Sequence, residues 1–244
     1  MTKRGVDDSL IICLFYYLST KWEMILKSLK AKAKPDKLEG MAKYAMRREK
    51  RLGVSVPDLR KMAKEIGKDH KLALKLWKTG IPDAMILAAM VDRPEDVTEQ
   101  QMENLVKDIN SWDVCDQLCM NLFENVPFVL EKINEWSKRE EEFVKRTAFA
   151  LIACLAWHNK EAPDELFIKL FPIIKIGAMD ERNFVKKAVN WALRNIGKRN
   201  PHLNKTSIKA AKEIQRIDSK AARWVASDAI RELESEAVQR RLKK

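Results

Sequence analysis

Turn-forming residues are scarce in this chain: 7 Gly and 8 Pro serve 244 residues. An all-β or doubly wound α/β chain of this length needs a turn residue at almost every connection. From Lys27 onward, apolar residues instead recur at helical spacing, in segments of roughly ten to twenty residues without strand-like alternation. The composition, 46% hydrophobic and 34% charged, supplies a sizeable core and excludes a disordered chain or a membrane bundle. The expected class is all-α.

Breaks fall at Pro35, Gly53 to Pro57, Gly80 to Pro82, Arg93 to Thr98, Ile109 to Ser111, Asn125 to Pro127, Asn159 to Pro163, Gly177 to Asp180 and Asn200 to His202. Ser55 before Val56-Pro57 reads as a helix start with Pro at its first position, and Thr98 before Glu99 and Gln101 as a capping-box-like start. No long linker divides the segments, so residues 24–244 are expected to form one domain. Paired breaks recur at about forty to forty-five residues, the period of HEAT or armadillo repeats. An α-solenoid is favoured over an irregular bundle because stacked helical pairs produce a continuous concave face.

Residues 1–23 stand apart. Ser9 to Leu18 form an apolar run behind Lys3 and Arg4, too short for the ~20 residues that span a bilayer. Asp7 and Asp8 occupy the place of a positive n-region, and no small-residue cleavage site follows. A cytoplasmic location is expected, the extension being either an extra packing helix or the product of an upstream start.

The formal charge is +12, the footprint of a polyanion partner, for which solubility alone is the plain alternative. The charge is segregated. Residues 42–64 hold eight basic side chains, Lys43, Arg47, Arg48, Lys50, Arg51, Arg60, Lys61 and Lys64, against Glu49 and Asp58. Residues 181–200 hold six bases and one acid, whereas residues 92–125 hold nine acids and two bases. A phosphate-tracking surface requires such separation. Cys13, Cys115, Cys119 and Cys154 contain no CxxC pair, and His70, His158 and His202 are scattered, which disfavours a zinc site or a disulfide framework.

Three helices carry chemistry-bearing residues. Around residues 183–198, a wheel of ~100° per residue puts Val185, Val189, Ala192, Leu193 and Ile196 toward the core. Lys187, Trp191, Arg194 and Lys198 fall opposite, a basic stripe with an indole in its middle. The indole is either a ligand contact or a cover for the Lys and Arg stems. In SWDVCDQL, Trp112 and Asp116 share one face while Val114, Leu118 and Leu122 point inward. Ser111 is a candidate cap, and Asp113 and Asp116 are alternatively first- and second-turn acids that complement the helix dipole, which suits Asp113 better than Asp116. From Glu142 to Trp157, Val144, Ala148, Leu151, Ile152 and Leu155 are expected in the core. Arg146 stands opposite, above Ala150 and Ala153, with room for a phosphate or for an intramolecular carboxylate.

The runs MAKYAMRREKRLGVSVPDLRKMAKEIG, SWDVCDQL, EEFVKRTAFALIACLAW and ERNFVKKAVNWALRNIGKRNP resemble, in order and spacing, the AlkD family of DNA alkylation repair glycosylases, over about Met24 to Leu233. The resemblance implies a superhelical array of HEAT-like repeats with a basic concave face that grips duplex DNA. It implies excision of positively charged N3- and N7-alkylated purines by a monofunctional glycosylase, with no metal and no organic cofactor. By position, Trp112 and Trp191 match the family's two aromatic residues at the lesion, Asp116 its catalytic carboxylate, Arg146 its backbone-contacting arginine, and Tyr44 a tyrosine near the cleft. Arg47, Lys187, Arg194 and Lys198 are the accompanying DNA-binding cations, and duplex DNA is the expected partner of a monomeric chain. The extension through Glu23 and the single Trp in SWD depart from the family pattern. Some branches with this fold bind branched or distorted DNA without excising bases, which is the alternative function.

Overall fold

A computed structural model describes residues 21–243. Ser9 to Leu18, and with them most of the extension, lie outside the described residues. Helices account for the regular structure, and there is no strand among the described residues. The contacts group the chain into two compact units that divide between Asp96 and Val97, within what the sequence reading treats as one domain.

In the first unit, residues 21–31 (α1) and Leu38–Lys43 (α2) precede Val56–Ile66 (α3), His70–Trp77 (α4) and Pro82–Val91 (α5). Ser55 caps α3, its hydroxyl accepting from Asp58 N at 3.3 Å, and Asp69 caps α4 by accepting from Leu72 N at 3.0 Å. Because α3 begins at Val56, Pro57 occupies its second position and not the first; either place suits proline, whose missing N–H has no helical partner there. Every residue of α5 is buried, as a helix apolar on all sides requires. Its one carboxylate, Asp83, accepts from Val54 N at 2.7 Å and Leu52 N at 2.8 Å. Those bonds fasten the loop that joins α2 to α3. Lys68 Nζ donates to Met90 O (3.1 Å) and Asp92 O (2.7 Å), a cation on the carbonyl end of α5 where the helix dipole favours it.

The second unit runs through Glu99–Asp108 (α6), Trp112–Asn121 (α7), Val129–Trp136 (α8), Glu142–His158 (α9), Asp164–Ile168 (α10), Phe171–Gly177 (α11), Asn183–Gly197 (α12), Pro201–Gln215 (α13), Lys220–Leu233 (α14) and Glu236–Leu242 (α15). Thr98 caps α6 as expected, accepting from Gln101 N at 3.1 Å. Helix α9 is the centre of this unit: α6, α7, α8 and α12 all pack on it, α12 most extensively. Its core positions Val144, Ala148, Leu151, Ile152 and Leu155 are buried as the wheel predicts, but Arg146, Ala150 and Ala153 are buried too. The expected open face above Ala150 and Ala153 is therefore absent, because α9 has neighbours on more than one side. Helix α12 follows its wheel: Val185, Val189, Ala192, Leu193 and Ile196 are fully enclosed.

Polar side chains tie successive helices through backbone carbonyls. Asn195 Nδ2 reaches Ala153 O at 3.0 Å, Asn190 Nδ2 reaches Val225 O at 3.0 Å, and Asn204 Nδ2 reaches Gly197 O at 2.9 Å. Arg199 donates to Ala156 O, Asn159 O, Lys160 O and Ala162 O at 2.8 to 3.2 Å, satisfying the carbonyls left unpaired at the end of α9.

One close approach is testable. A Cβ added at Gly177, the last residue of α11, would collide with the Cζ end of the Phe149 ring, which is fully buried on α9. Gly177→Ala is expected to cost roughly 1–3 kcal/mol, lowering the thermal midpoint by about 2–4 °C per kcal/mol. An unchanged midpoint would show that α11 shifts freely over α9.

Candidate active site

Helix α7 is preceded by Ser111, whose hydroxyl donates to the Asp113 carboxylate and forms no hydrogen bond that caps the backbone. Val114, Cys115, Leu118 and Cys119 enter the core, and Leu122 follows just past the helix end. The opposite side therefore presents Trp112 and Asp116, both half-buried. Asp116 Oδ1 accepts from Arg146 Nη2 at 2.7 Å, with 14% of the Asp116 side chain and 5% of the Arg146 side chain accessible. Arg146 Nη1 donates to Phe184 O, also at 2.7 Å. A single guanidinium thus joins α7, α9 and the first turn of α12. Beside it the Phe143 and Phe184 rings pack with centroids 5.3 Å apart.

Arg146 is 4% exposed, so of the two partners open to it from the sequence, the structure provides the intramolecular carboxylate. The expected phosphate contact is corrected: both terminal nitrogens are engaged inside the protein and Nε is buried without a partner. Burial raises the Asp116 carboxyl above its ordinary range, Arg146 pulls it down, and Asp113 adds a smaller upward push. Burial also works against the charge on Arg146, but Asp116 holds that guanidinium above its usual range. No described group other than Arg146 bonds the Asp116 carboxylate. An approaching cation or water therefore meets an acceptor that is fixed, partly desolvated and still reachable.

The cysteines nearby are structural. Cys115, Cys119 and Cys154 are buried, Cys115 Sγ lies 3.3 Å from Thr147 Oγ1, and burial pushes the Cys119 and Cys154 thiols well above their ordinary value. Thiols in that state are poor nucleophiles. Among the described residues, no group of three His, Cys, Asp or Glu side chains is gathered so as to hold a metal ion.

The basic stripe on α12 is only partly free. Lys187 is exposed and Trp191 half-buried. Arg194 Nη1 is paired with Glu232, and Lys198 Nζ lies 2.7 Å from the other oxygen of the same carboxylate. Asp228, one turn earlier on α14, sits 3.9 Å from Arg194 Nε. Two of the three cations in the stripe thus have carboxylate partners, which a wheel of α12 alone cannot display because they lie on the helix beside it. Glu232 and Asp228 went unnoticed in the sequence, although their spacing of four marks a common face.

The remaining candidates belong to the first unit. Tyr44 closes α2 and is 73% exposed. Arg47 is exposed on the loop that Asp83 fastens, its carbonyl accepting from Arg51 Nε at 2.7 Å. Ala45 and Lys50 on that loop take positive φ values of 58° and 57°, conformations that side chains of L-residues adopt at a cost.

The sequence matches the family described as DNA alkylation repair enzyme over residues 25–233. A solved structure described as belonging to "a new family of proteins related to the HEAT-like repeat DNA glycosylases with affinity for branched DNA structures" superposes with a TM-score of 0.76. It is 17% identical and covers 91% of this chain and 95% of that one. A designed armadillo repeat protein in complex with a Lys-Arg peptide gives a TM-score of 0.35 at 16% identity, covering 76% of this chain and 88% of that one. No curated protein matches the sequence significantly. No described helix is long and apolar enough to cross a membrane. The all-helical architecture is that of the HEAT-like repeat proteins, and the chain belongs to the DNA alkylation repair enzyme family.

Proposed function

We propose that the protein is a monofunctional DNA glycosylase that excises positively charged N3- and N7-alkylated purines from duplex DNA. One observation carries this reading: the Asp116 carboxylate, held by Arg146 yet partly accessible, stands on the same face of α7 as Trp112. A cationic alkylpurine is already a good leaving group, so the demand on the enzyme is stabilisation of the positive charge that grows on the deoxyribose. A fixed carboxylate supplies that stabilisation, and it orients the water that completes hydrolysis. Trp112 and Trp191 add the negative faces of their rings. Arg146 is then a positioning residue, aiming Asp116 and keeping it ionised, instead of a contact to the DNA backbone.

Tyr44 and Arg47 from the first unit and Lys187 from the second are the proposed contacts to the DNA. Arg194 and Lys198 join them to the extent that phosphates compete with Glu232. The reading places one copy of the chain on each lesion, in the cytoplasm, with no metal or organic cofactor in the chemistry. Affinity for branched DNA, stated for the solved relative, supports a second reading in which the same surface binds distorted DNA without excision.

Release of 7-methylguanine from methylated duplex DNA separates the two. Asp116→Asn keeps an oxygen for Arg146 but removes the charge, and is expected to cut excision by about a hundredfold or more while duplex binding is retained. Equal release by both proteins would remove Asp116 from the chemistry, and no release by either would leave the binding reading. The pH profile tests Arg146. Excision needs ionised Asp116, so the rate falls as pH drops through its pKa; Arg146→Gln withdraws the group that lowers that pKa, and the acid limb is expected to move to higher pH. An unmoved limb would deny Arg146 that role. Finally, Glu232→Gln frees Lys198 and leaves Arg194 with only the more distant Asp228, and is expected to tighten duplex binding and to steepen the logarithmic salt dependence by roughly 1–2 units. Unchanged affinity and slope would mean that neither cation meets a phosphate.

A further inference from the structure

A cleft of about 490 Å³ opens where α9 and α12 end, bordered by Trp157, Trp191, Lys160, Lys198, Arg199 and Arg241 among others. It shares Trp191 with the proposed site and reaches beyond it: Phe184, whose carbonyl Arg146 holds, lies in the first turn of α12, whereas Asn195 and Lys198 on the cleft lie eleven and fourteen residues on, roughly 16–21 Å along the helix axis. Arg241 also falls past residues 25–233, the part matched by the family.

Two properties of the lining specify a ligand. The first is aromatic. Trp157 is 51% exposed, an unusual place for an indole unless something covers it. It stacks on His158 at 4.6 Å between ring centroids, and His158 is held by Glu124 at 2.7 Å. Trp191 is half-buried on the facing helix. Neither indole N–H has a partner among the described residues.

The second property is charge. Four cations line the cleft against one carboxylate, Asp164, which accepts from Asn200 at 2.8 Å. Lys198 is matched by Glu232, and Arg199 is engaged with carbonyls of the α9 end. Lys160 has no carboxylate partner among the described residues; burial and the neighbouring Arg199 and Arg241 hold its ammonium below the usual lysine range. A group in that state gains from an anion that relieves like-charge repulsion.

We infer that this cleft is a nucleotide subsite, taking an unstacked base against Trp157 and Trp191 and its phosphate on Lys160 and Arg241. The inference rests on the DNA-binding reading above but not on base excision. A nucleoside phosphate reaches the cleft either as a nucleotide displaced from the strand of a bound duplex or as a free mononucleotide. Base–aromatic stacking is expected to give a preference of roughly tenfold, about 1.4 kcal/mol.

The test is binding of the full chain to unmodified DNA, so that an absence of excision has no bearing on the result. The probes are a perfect duplex, the same duplex with a single-nucleotide bulge carrying 2-aminopurine, and free dAMP. The wild-type protein is expected to favour the bulged duplex by about tenfold and to quench its 2-aminopurine fluorescence. Trp157→Ala and, independently, Lys160→Glu at an exposed loop position are each expected to reduce the preference several-fold. Quenching of tryptophan fluorescence by dAMP, lost in Trp157→Ala, would assign the subsite to free nucleotides as well; a response to the bulge alone would assign it to strand-borne ones. Equal affinity for both duplexes with no response to dAMP overturns the inference, as does a preference that survives both substitutions. Excision of alkylpurines alongside either of those last outcomes would leave the glycosylase reading standing and the subsite refuted.

Discussion

The buried guanidinium of Arg146 is the interaction on which the packing of α7, α9 and α12 and the chemistry proposed for Asp116 both depend. A charge enclosed to this degree is tolerated only when it is paired and hydrogen-bonded. Arg146 meets that demand with the Asp116 carboxylate and the Phe184 carbonyl. The same two bonds fix the relative register of α7, α9 and α12. Removal of either charged partner leaves the other in a site built for a pair, so position and protonation of the carboxylate are set by packing and not by the exposed face alone. This is how a site on helix surfaces can hold one carboxylate still without an enclosed pocket.

The parts of this arrangement that were legible in the sequence are those governed by a single helix. The buried side of α12 follows from its periodicity, and the shared face of Trp112 and Asp116 follows from a spacing of four. Thr98 and Ser55 act as caps because capping is local chemistry. The misread parts are those governed by neighbours. Helix α9 is apolar on nearly every side, so its wheel has no clear outward face, and Ala150 and Ala153 are core residues, not an opening for phosphate. The break between α8 and α9 carries neither glycine nor proline, which hides it from any search for turn residues. The division between Asp96 and Val97 falls within the break from Arg93 to Thr98, which no long linker sets apart from the other breaks.

Net charge illustrates the same limit. The excess of +12 suggests a continuous cationic surface, yet several of its strongest members are internal fasteners. Arg146 serves a carboxylate and a carbonyl, Arg199 and Lys68 serve carbonyls at helix ends, and Lys132 is buried beside Glu103 and Glu135. Arg194 and Lys198 share Glu232. Cations of this kind do not release counterions when DNA binds unless the phosphate displaces an existing partner, so a count of basic residues overstates the salt dependence. What remains for a polyanion is a smaller set than the count of bases, and it includes Lys187 on α12, Lys160 beyond α9 and Arg47 on the α2–α3 loop. In the inferred subsite, cations that border the same cleft as Trp157 and Trp191 would select for nucleotides more narrowly than a uniform basic face, because each phosphate contact would be coupled to the stacking of a base.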